Sequence, residues 1–243
     1  MIALTILYLV PVALVGIILQ AAFIMQEHME HYKKAVVLKG LAALIFVAIG
    51  VFGALLNNSV LSFGALNAAH EYALASLLIA IGLGFGMLGD ICLNLRLVLK
   101  DGKKIFLAGI AAFLIGHLLY LAAIILQIQD TKALLIGIGA GIVCAAGLLI
   151  WIFKNITAQK VFKIFGIFYV GAVVVMTAVA VTKFILDGSS RSLVFMIGAI
   201  LFTASDVILI FNMFSEHKKA WMRPTNLSLY YLGQLLIAGS LFM

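Results

Sequence analysis

The sequence predicts an all-α membrane protein with eight transmembrane helices in a single domain over residues 1–243. Of the 243 residues, 65% are hydrophobic and only 10% are charged, whereas a soluble domain carries about 25% charged residues. Apolar stretches of the length that spans a bilayer as a helix, about 20 residues, follow one another with short polar loops between them. The net charge of +7 is spread over these loops without a basic run, which argues against a nucleic-acid partner.

Eight such stretches occur along the chain. They lie at 2–24, 35–56, 72–95, 105–126, 132–153, 161–183, 191–214 and 226–242. No basic residue precedes the first stretch, so we expect it to be a retained span and not a cleaved signal peptide. Cys92 and Cys144 both lie inside apolar stretches, where we expect free thiols.

The lysine and arginine residues predict the orientation of the spans. Loops after the odd-numbered stretches hold twelve of the sixteen, and loops after the even-numbered stretches hold only Lys132, Lys183 and Arg191. Because basic loops remain in the cytoplasm, we expect both termini outside the cell. We expect the protein to lie in a plasma or inner membrane. The sixteenth basic residue, Lys39, lies inside the second stretch.

Matched motifs indicate an internal repeat. Asp90 in the third stretch and Asp206 in the seventh are 116 residues apart, and each is followed by an apolar residue and, three positions on, a leucine. His117 in the fourth stretch and Gln234 in the eighth, each preceded by glycine, are offset by 117. We therefore expect two parallel four-helix repeats, 1–126 and 127–243, related by an axis along the membrane normal.

Asp90 and Asp206 are the strongest candidates for a functional site. An ionised aspartate at the centre of a spanning helix costs about 2.5–3.5 kcal/mol, and intramembrane carboxylates are functional by default. The repeat would hold both carboxyls at similar depth, facing each other, where two carboxyls in low dielectric share a proton. Such a pair supplies one acid and one base. The structural alternative is that each aspartate only ties neighbouring helices together.

Eight further polar residues are candidates for substrate contacts. They are Lys39, Asn94, His117, Tyr120, Tyr169, Tyr230, Tyr231 and Gln234. Lys39 reaches the interface, acts as a counter-ion or binds a phosphate. His117 is either a hydrogen-bonded bridge between helices or a catalytic group. The tyrosines belong either to the site or to the aromatic belt at the membrane surface.

The sequence lacks the patterns of several other chemistries. A zinc site needs three or four converging ligands, and of the five histidines only His117 lies within an apolar stretch. Neither a G-x-S-x-G elbow nor a Walker-type loop occurs. We therefore expect acid–base chemistry without a metal or another cofactor.

Several motifs resemble one family in order and spacing. They are Gly89-Asp90-x-x-Leu93, Phe113-Leu114-Ile115-Gly116-His117-x-x-Tyr120, Tyr169, Gly198, Phe202, Ser205-Asp206-x-x-Leu209 and Tyr230-Tyr231-x-x-Gln234-x-x-Ile237. With them the chain resembles the lysoplasmalogenase (YhhN-like) family of eight-span membrane proteins. One departure is Lys39-Gly40, where the family commonly has Lys-Pro.

The resemblance implies hydrolysis of the vinyl-ether bond of lysoplasmalogens to a fatty aldehyde and a glycerophospho-alcohol. It implies that Asp90 and Asp206 act as acid and base in an order that stays open. His117, Tyr231 and Gln234 would position water or the vinyl ether, and Lys39 would hold the phosphate. The partners are then the lysophospholipid and membrane lipids, with no obligate protein partner, and the site opens towards the cytoplasm.

Two rival functions stay open. Parallel repeats with paired carboxylates also occur in proton-coupled carriers, so the first rival is a transporter of lipids or small solutes. The second is a lipid-binding or assembly protein without catalytic activity.

Overall fold

The computed structural model describes residues 2–61, 68–216 and 219–243, and this part of the chain contains helices and no strand. The helices are α1 (Ile2–His28), α2 (Tyr32–Leu61), α3 (Ala68–Leu95), α4 (Gly102–Ile125), α5 (Thr131–Asn155), α6 (Lys160–Asp187), α7 (Ser190–Phe214) and α8 (Met222–Gly239). A short 3-10 turn, Ser240–Phe242, follows α8. The prediction of an all-α fold built on eight helices is confirmed.

Seven of the eight helices, α1 to α7, are long and apolar enough to cross a membrane, as far as the described residues go. Helix α8 has only 18 residues, and it carries polar side chains such as Asn226 and Gln234 that are buried inside the bundle. The lower hydropathy of α8, compared with α1 to α7, therefore comes from polar side chains that are buried against other helices. A membrane span at α8, the outside location of the termini and the internal repeat stay predictions.

Local signals fix several helix ends at one end of the bundle. The Asp130 carboxylate caps α5 by accepting the backbone N–H groups of Lys132 and Ala133. Ser189 caps α7 through the N–H of Ser192. Gly188 ends α6 in the left-handed conformation, at φ +58°, where a glycine avoids the steric cost of a side chain.

The opposite end carries the loops between α1 and α2, α3 and α4, α5 and α6, and α7 and α8. We call it the basic end, because the sequence assigns twelve of the sixteen lysines and arginines to it. Of these twelve, Lys218 lies outside the described residues. Successive helices run in opposite directions, so these four loops lie together at this end.

Glycines let two helix pairs pack closely. A side chain on Gly198 of α7 would lie 2.9 Å from the carbonyl oxygen of Gly233 in α8, and one on Gly116 of α4 would lie 3.0 Å from that of Gly82 in α3. Lipid is as apolar as leucine, so membrane helices associate through such close packing of small residues. The pairs α3–α4 and α7–α8 are those that carry Asp90 and Asp206, so this packing positions the two carboxyls.

We expect Gly198→Ala to destabilise the bundle. Its new methyl group meets backbone atoms of α8, which cannot rotate away, and overpacking of this kind costs about 1–3 kcal/mol. Gly171→Ala in α6 is the control, since a methyl group there meets nothing within 4 Å. Thermal unfolding in detergent should show a lower midpoint for Gly198→Ala only, and equal midpoints would contradict the close packing of α7 on α8.

Candidate functional site

Asp90 and Asp206 line the same cavity in the centre of the bundle. Both are buried, at 4% and 5% exposure. The cavity has a volume of about 40 Å³, which is room for a small number of water molecules but no more. Lys39, Tyr169 and Tyr230 also line it, so residues from α2, α3, α6, α7 and α8 meet there.

Lys39 is the partner of Asp90. Its ammonium nitrogen lies 3.3 Å from Oδ2 of Asp90, and the lysine side chain is 1% exposed. The same nitrogen donates to Oε1 of Gln20 at 3.2 Å and lies 4.5 Å from the centre of the Tyr230 ring. Lys39 therefore does not reach the membrane surface. Of the three alternatives that the sequence left open, this geometry favours the counter-ion.

Asp206 has a different environment. The Tyr169 hydroxyl donates to its Oδ2 at 2.8 Å. Among the described residues, none of the ion pairs involves Asp206. A buried carboxylate without a cation is costly, whereas a neutral carboxyl with a hydrogen bond is not. The two carboxyls of the cavity are therefore unequal: Asp90 has a compensating charge and Asp206 does not.

A chain of hydrogen bonds connects Asp90 to α8 and α4. The Tyr230 hydroxyl donates to Oδ2 of Asp90 at 2.9 Å. Nε2 of Gln234 donates to the Tyr230 oxygen at 3.4 Å, and the Tyr120 hydroxyl donates to Oε1 of Gln234 at 2.8 Å. Three predicted site residues thus form successive hydrogen bonds that begin at Asp90. They connect its carboxylate to α8 and α4.

Two buried polar atoms have no hydrogen-bond partner among the described residues, and both belong to predicted site residues. Asn94 donates to the backbone oxygen of Asp90 at 2.9 Å, while its Oδ1 is unpaired beside the cavity that it lines. His117 contacts the Phe113 carbonyl through Nδ1 at 2.6 Å, which leaves Nε2 unpaired. His117 packs edge-on against Phe202 and does not itself line the cavity.

Tyr231 points away from the cavity. Its hydroxyl donates to the carbonyl oxygen of Ala42 at 2.9 Å, and its ring packs against Phe46. Adjacent residues on a helix diverge by about 100°, so Tyr230 and Tyr231 cannot both face Asp90. The structure brings Tyr230 to the carboxyls and uses Tyr231 to join α8 to α2.

Three residues that the sequence interpretation did not select also belong to the site. Gln20 accepts from Lys39 and donates to the Leu227 carbonyl at 3.1 Å. Asn226 lines the cavity and donates to the Ser205 carbonyl at 2.8 Å. Arg223 lines the cavity from the first turn of α8. Gln20 interrupts an otherwise apolar run, which is the signal that could have identified it.

Two larger spaces adjoin the central cavity. The first, which we call the vestibule, is an open pocket of about 920 Å³ at the basic end, and it shares Arg223 with the cavity. The second, which we call the apolar groove, has about 70 Å³ and lies among α4, α5, α6 and α7. It shares Tyr169 and Leu209 with the cavity. Its lining is apolar apart from Lys163 and the Tyr169 hydroxyl.

Within residues 2–61, 68–216 and 219–243, the structure holds no group of three or more histidine, cysteine, aspartate or glutamate side chains that could bind a metal ion. The acid–base groups that the cavity does offer are the two carboxyls with their lysine and tyrosine partners.

Comparison with known protein families gives one match, to the YhhN family, over residues 35–241. The chain belongs to the YhhN family. This match covers α2 to α8 almost completely, and it confirms the resemblance to the lysoplasmalogenase family that the sequence motifs indicated. Comparison with curated proteins and with solved structures gives no match.

We expect Lys39→Met to destabilise this YhhN-family protein strongly. Removing one partner of a buried ion pair leaves an uncompensated charge and costs about 3–5 kcal/mol. The double variant Lys39→Met/Asp90→Asn removes both charges and should recover much of the stability that Lys39→Met loses. Lys183→Met is the control, because the Lys183–Asp187 pair is partly exposed and such pairs contribute at most about 1 kcal/mol.

The measurement is the thermal unfolding midpoint of each variant in detergent. A double variant as unstable as Lys39→Met alone would contradict the assignment of Lys39 as the counter-ion of Asp90.

Proposed function

We propose that this protein is a membrane-embedded lysoplasmalogenase, an ether hydrolase that cleaves the vinyl-ether bond of lysoplasmalogens. One observation carries the proposal: two buried carboxyls line one small cavity, and among the described residues an ion pair forms at Asp90 and not at Asp206. Membership of the YhhN family supports the substrate class. Vinyl-ether hydrolysis needs a proton donor and an anion close together, and this pair offers both.

Asp206 is the acid in this proposal. Without a cation, it is the carboxyl that is held more easily in its neutral form. It donates its proton to the vinyl carbon distant from the ether oxygen, and the electron pair of the double bond forms the new C–H bond. The ether oxygen shares a lone pair with the adjacent carbon, which gives an oxocarbenium ion. Asp206 is then ionised, and Tyr169 donates a hydrogen bond to it.

Asp90 is the carboxylate that stabilises this cation and activates water. The water oxygen bonds to the cationic carbon, and Asp90 takes the released proton, so a neutral hemiacetal forms. Asp90 then protonates the leaving glycerol oxygen as its C–O bond breaks. The hemiacetal hydroxyl gives its proton to Asp206, and the aldehyde is formed. Both carboxyls return to their starting forms, so the cycle uses one water molecule and no other reactant.

The groups around the carboxyls have supporting roles. Lys39 and Tyr230 hold Asp90 ionised through its Oδ2. Asn94 lines the cavity, and its Oδ1, unpaired among the described residues, can accept a hydrogen bond from the attacking water. Gln234 fixes Tyr230. His117 lies behind Phe202 and Tyr169, so we assign it to the packing that orients Tyr169.

Release of aldehyde from a lysoplasmalogen by the purified protein tests the proposal. We expect Asp206→Asn and Asp90→Asn to lower the turnover number by about 10²–10⁴, the contribution typical of a general acid or base. Asp187→Asn is the matched control: it removes a carboxyl from the end of the bundle opposite the basic end and should leave turnover unchanged.

Aldehyde release that is unchanged in both central variants would contradict the mechanism. If the wild-type protein releases no aldehyde and instead takes up a solute into vesicles in a proton-dependent manner, the carrier replaces the hydrolase. If both variants only unfold at lower temperature and the wild type lacks activity, the aspartates tie helices together.

We assign the alkenyl chain of the substrate to the apolar groove, because the groove adjoins Asp206 through Tyr169. Gly166 lines the groove, and a side chain added there meets nothing within 4 Å. Gly166→Leu should therefore fill the groove without disturbing the helices. We expect KM to rise for long-chain substrates while turnover of short-chain substrates is retained.

Gly171→Leu, on the same helix and also with open space at the added carbon, is the control and should not change the chain-length profile. The measurement is KM for a series of chain lengths. Identical profiles for Gly166→Leu and the wild type would contradict the assignment of the groove.

A further inference from the structure

Arg96 lines the vestibule, and its guanidinium group has no oxygen partner among the described residues. It follows directly after α3 and is half-buried. One of its N–H groups donates to the sulfur of Met213 at 3.7 Å, and the guanidinium carbon lies 4.6 Å from the centre of the Phe106 ring. These are the hydrogen bond and the ring contact of the guanidinium group among the described residues. A guanidinium has five N–H donors, so most of the hydrogen-bonding capacity of Arg96 is unused.

Arg223 makes a useful comparison in the same vestibule. Its Nε donates to Oε2 of Glu27 at 2.9 Å, and its Nη2 donates to Oε1 of the same carboxylate. Glu27 thus neutralises and orients Arg223. Arg96 has no such carboxylate among the described residues. Burial, and then repulsion from Arg223, lowers the pKa of Arg96 to about 10, against an opposing attraction from Glu27, so Arg96 is charged at neutral pH.

The vestibule has the size and position for a lipid head group. Its volume is about 920 Å³, and Arg223 connects it to the cavity of Asp90 and Asp206. A molecule bound at Arg96 therefore lies next to the carboxyls without crossing the bundle. Glu30 also lines the vestibule, in addition to the Glu27 that pairs with Arg223, so the vestibule offers a carboxylate as well as guanidinium groups. This combination suits a zwitterion better than a simple anion.

We propose that Arg96 binds the phosphate of the lysophospholipid head group, and that the carboxylate of Glu30 faces the head-group amine. A guanidinium binds two phosphate oxygens at once through its planar fork, which a lysine cannot do. The proposal rests on the lysoplasmalogenase function proposed above and gives the phosphate a ligand other than Lys39, whose ammonium contacts Asp90 and Gln20.

The first test compares two substrates of Arg96→Gln: a lysoplasmalogen with a phosphoethanolamine head group, and the 1-alkenylglycerol that lacks the phosphate. We expect KM to rise about 10- to 100-fold for the phospholipid, the loss typical of a hydrogen-bonded charged group. The turnover number and the KM for the alkenylglycerol should be unchanged. Arg96→Lys should give an intermediate KM, and Arg191→Gln, at the end of the bundle opposite the basic end, should change neither substrate.

An equal rise of KM for both substrates, or no rise for the phospholipid, would overturn the proposal. A second test does not depend on turnover: calorimetry of glycerophosphoethanolamine and of inorganic phosphate binding to the detergent-purified protein. The wild type should bind glycerophosphoethanolamine more tightly than inorganic phosphate. Arg96→Gln should bind glycerophosphoethanolamine at least 10-fold more weakly than the wild type does. Equal binding of inorganic phosphate would indicate a free-anion site and overturn the head-group assignment. A wild-type protein that binds glycerophosphoethanolamine but releases no aldehyde would contradict the proposed function and leave the head-group assignment in place.

Discussion

The ion pair between Lys39 and Asp90 holds four helices of this protein together at one point. Lys39 comes from α2 and Asp90 from α3, Gln20 of α1 accepts from the lysine, and Tyr230 of α8 donates to the carboxylate. Two bare charges at this depth would each cost several kcal/mol. The pair offsets that cost, and Gln20 and Tyr230 complete its hydrogen bonds, so the geometry of the centre depends on all four helices.

The same ion pair makes the two carboxyls of the cavity different. Asp90 and Asp206 occupy similar positions on two closely packed helix pairs, but the cation lies on one side only. On the other side a tyrosine hydroxyl is the partner. Two equal carboxyls would share one proton without preference. The lysine sets which carboxyl carries the negative charge, and it thereby gives the proposed acid and base their separate roles.

The helices and the central pair of aspartates could be predicted from the sequence, because apolar length and costly buried charge are both visible in a single chain. The direction in which a side chain points was harder to predict. Lys39 lies about two turns into α2, and its depth alone does not distinguish the interface from the cavity. Tyr230 and Tyr231 are adjacent, and only the packing of α8 decides which faces Asp90. Arg96 and Arg223 resembled orientation signals in basic loops, and only the folded chain brings them to one vestibule.

The position of Lys39 and Asp90 on successive helices has a consequence for how the protein enters the membrane. Helices α2 and α3 can insert together as a hairpin, in which the two opposite charges neutralise each other before the rest of the bundle exists. Asp206 is synthesised much later, on α7, when the ion pair of Lys39 and Asp90 can already have formed. The order of residues along the chain therefore matches the order in which the charges need protection during biogenesis.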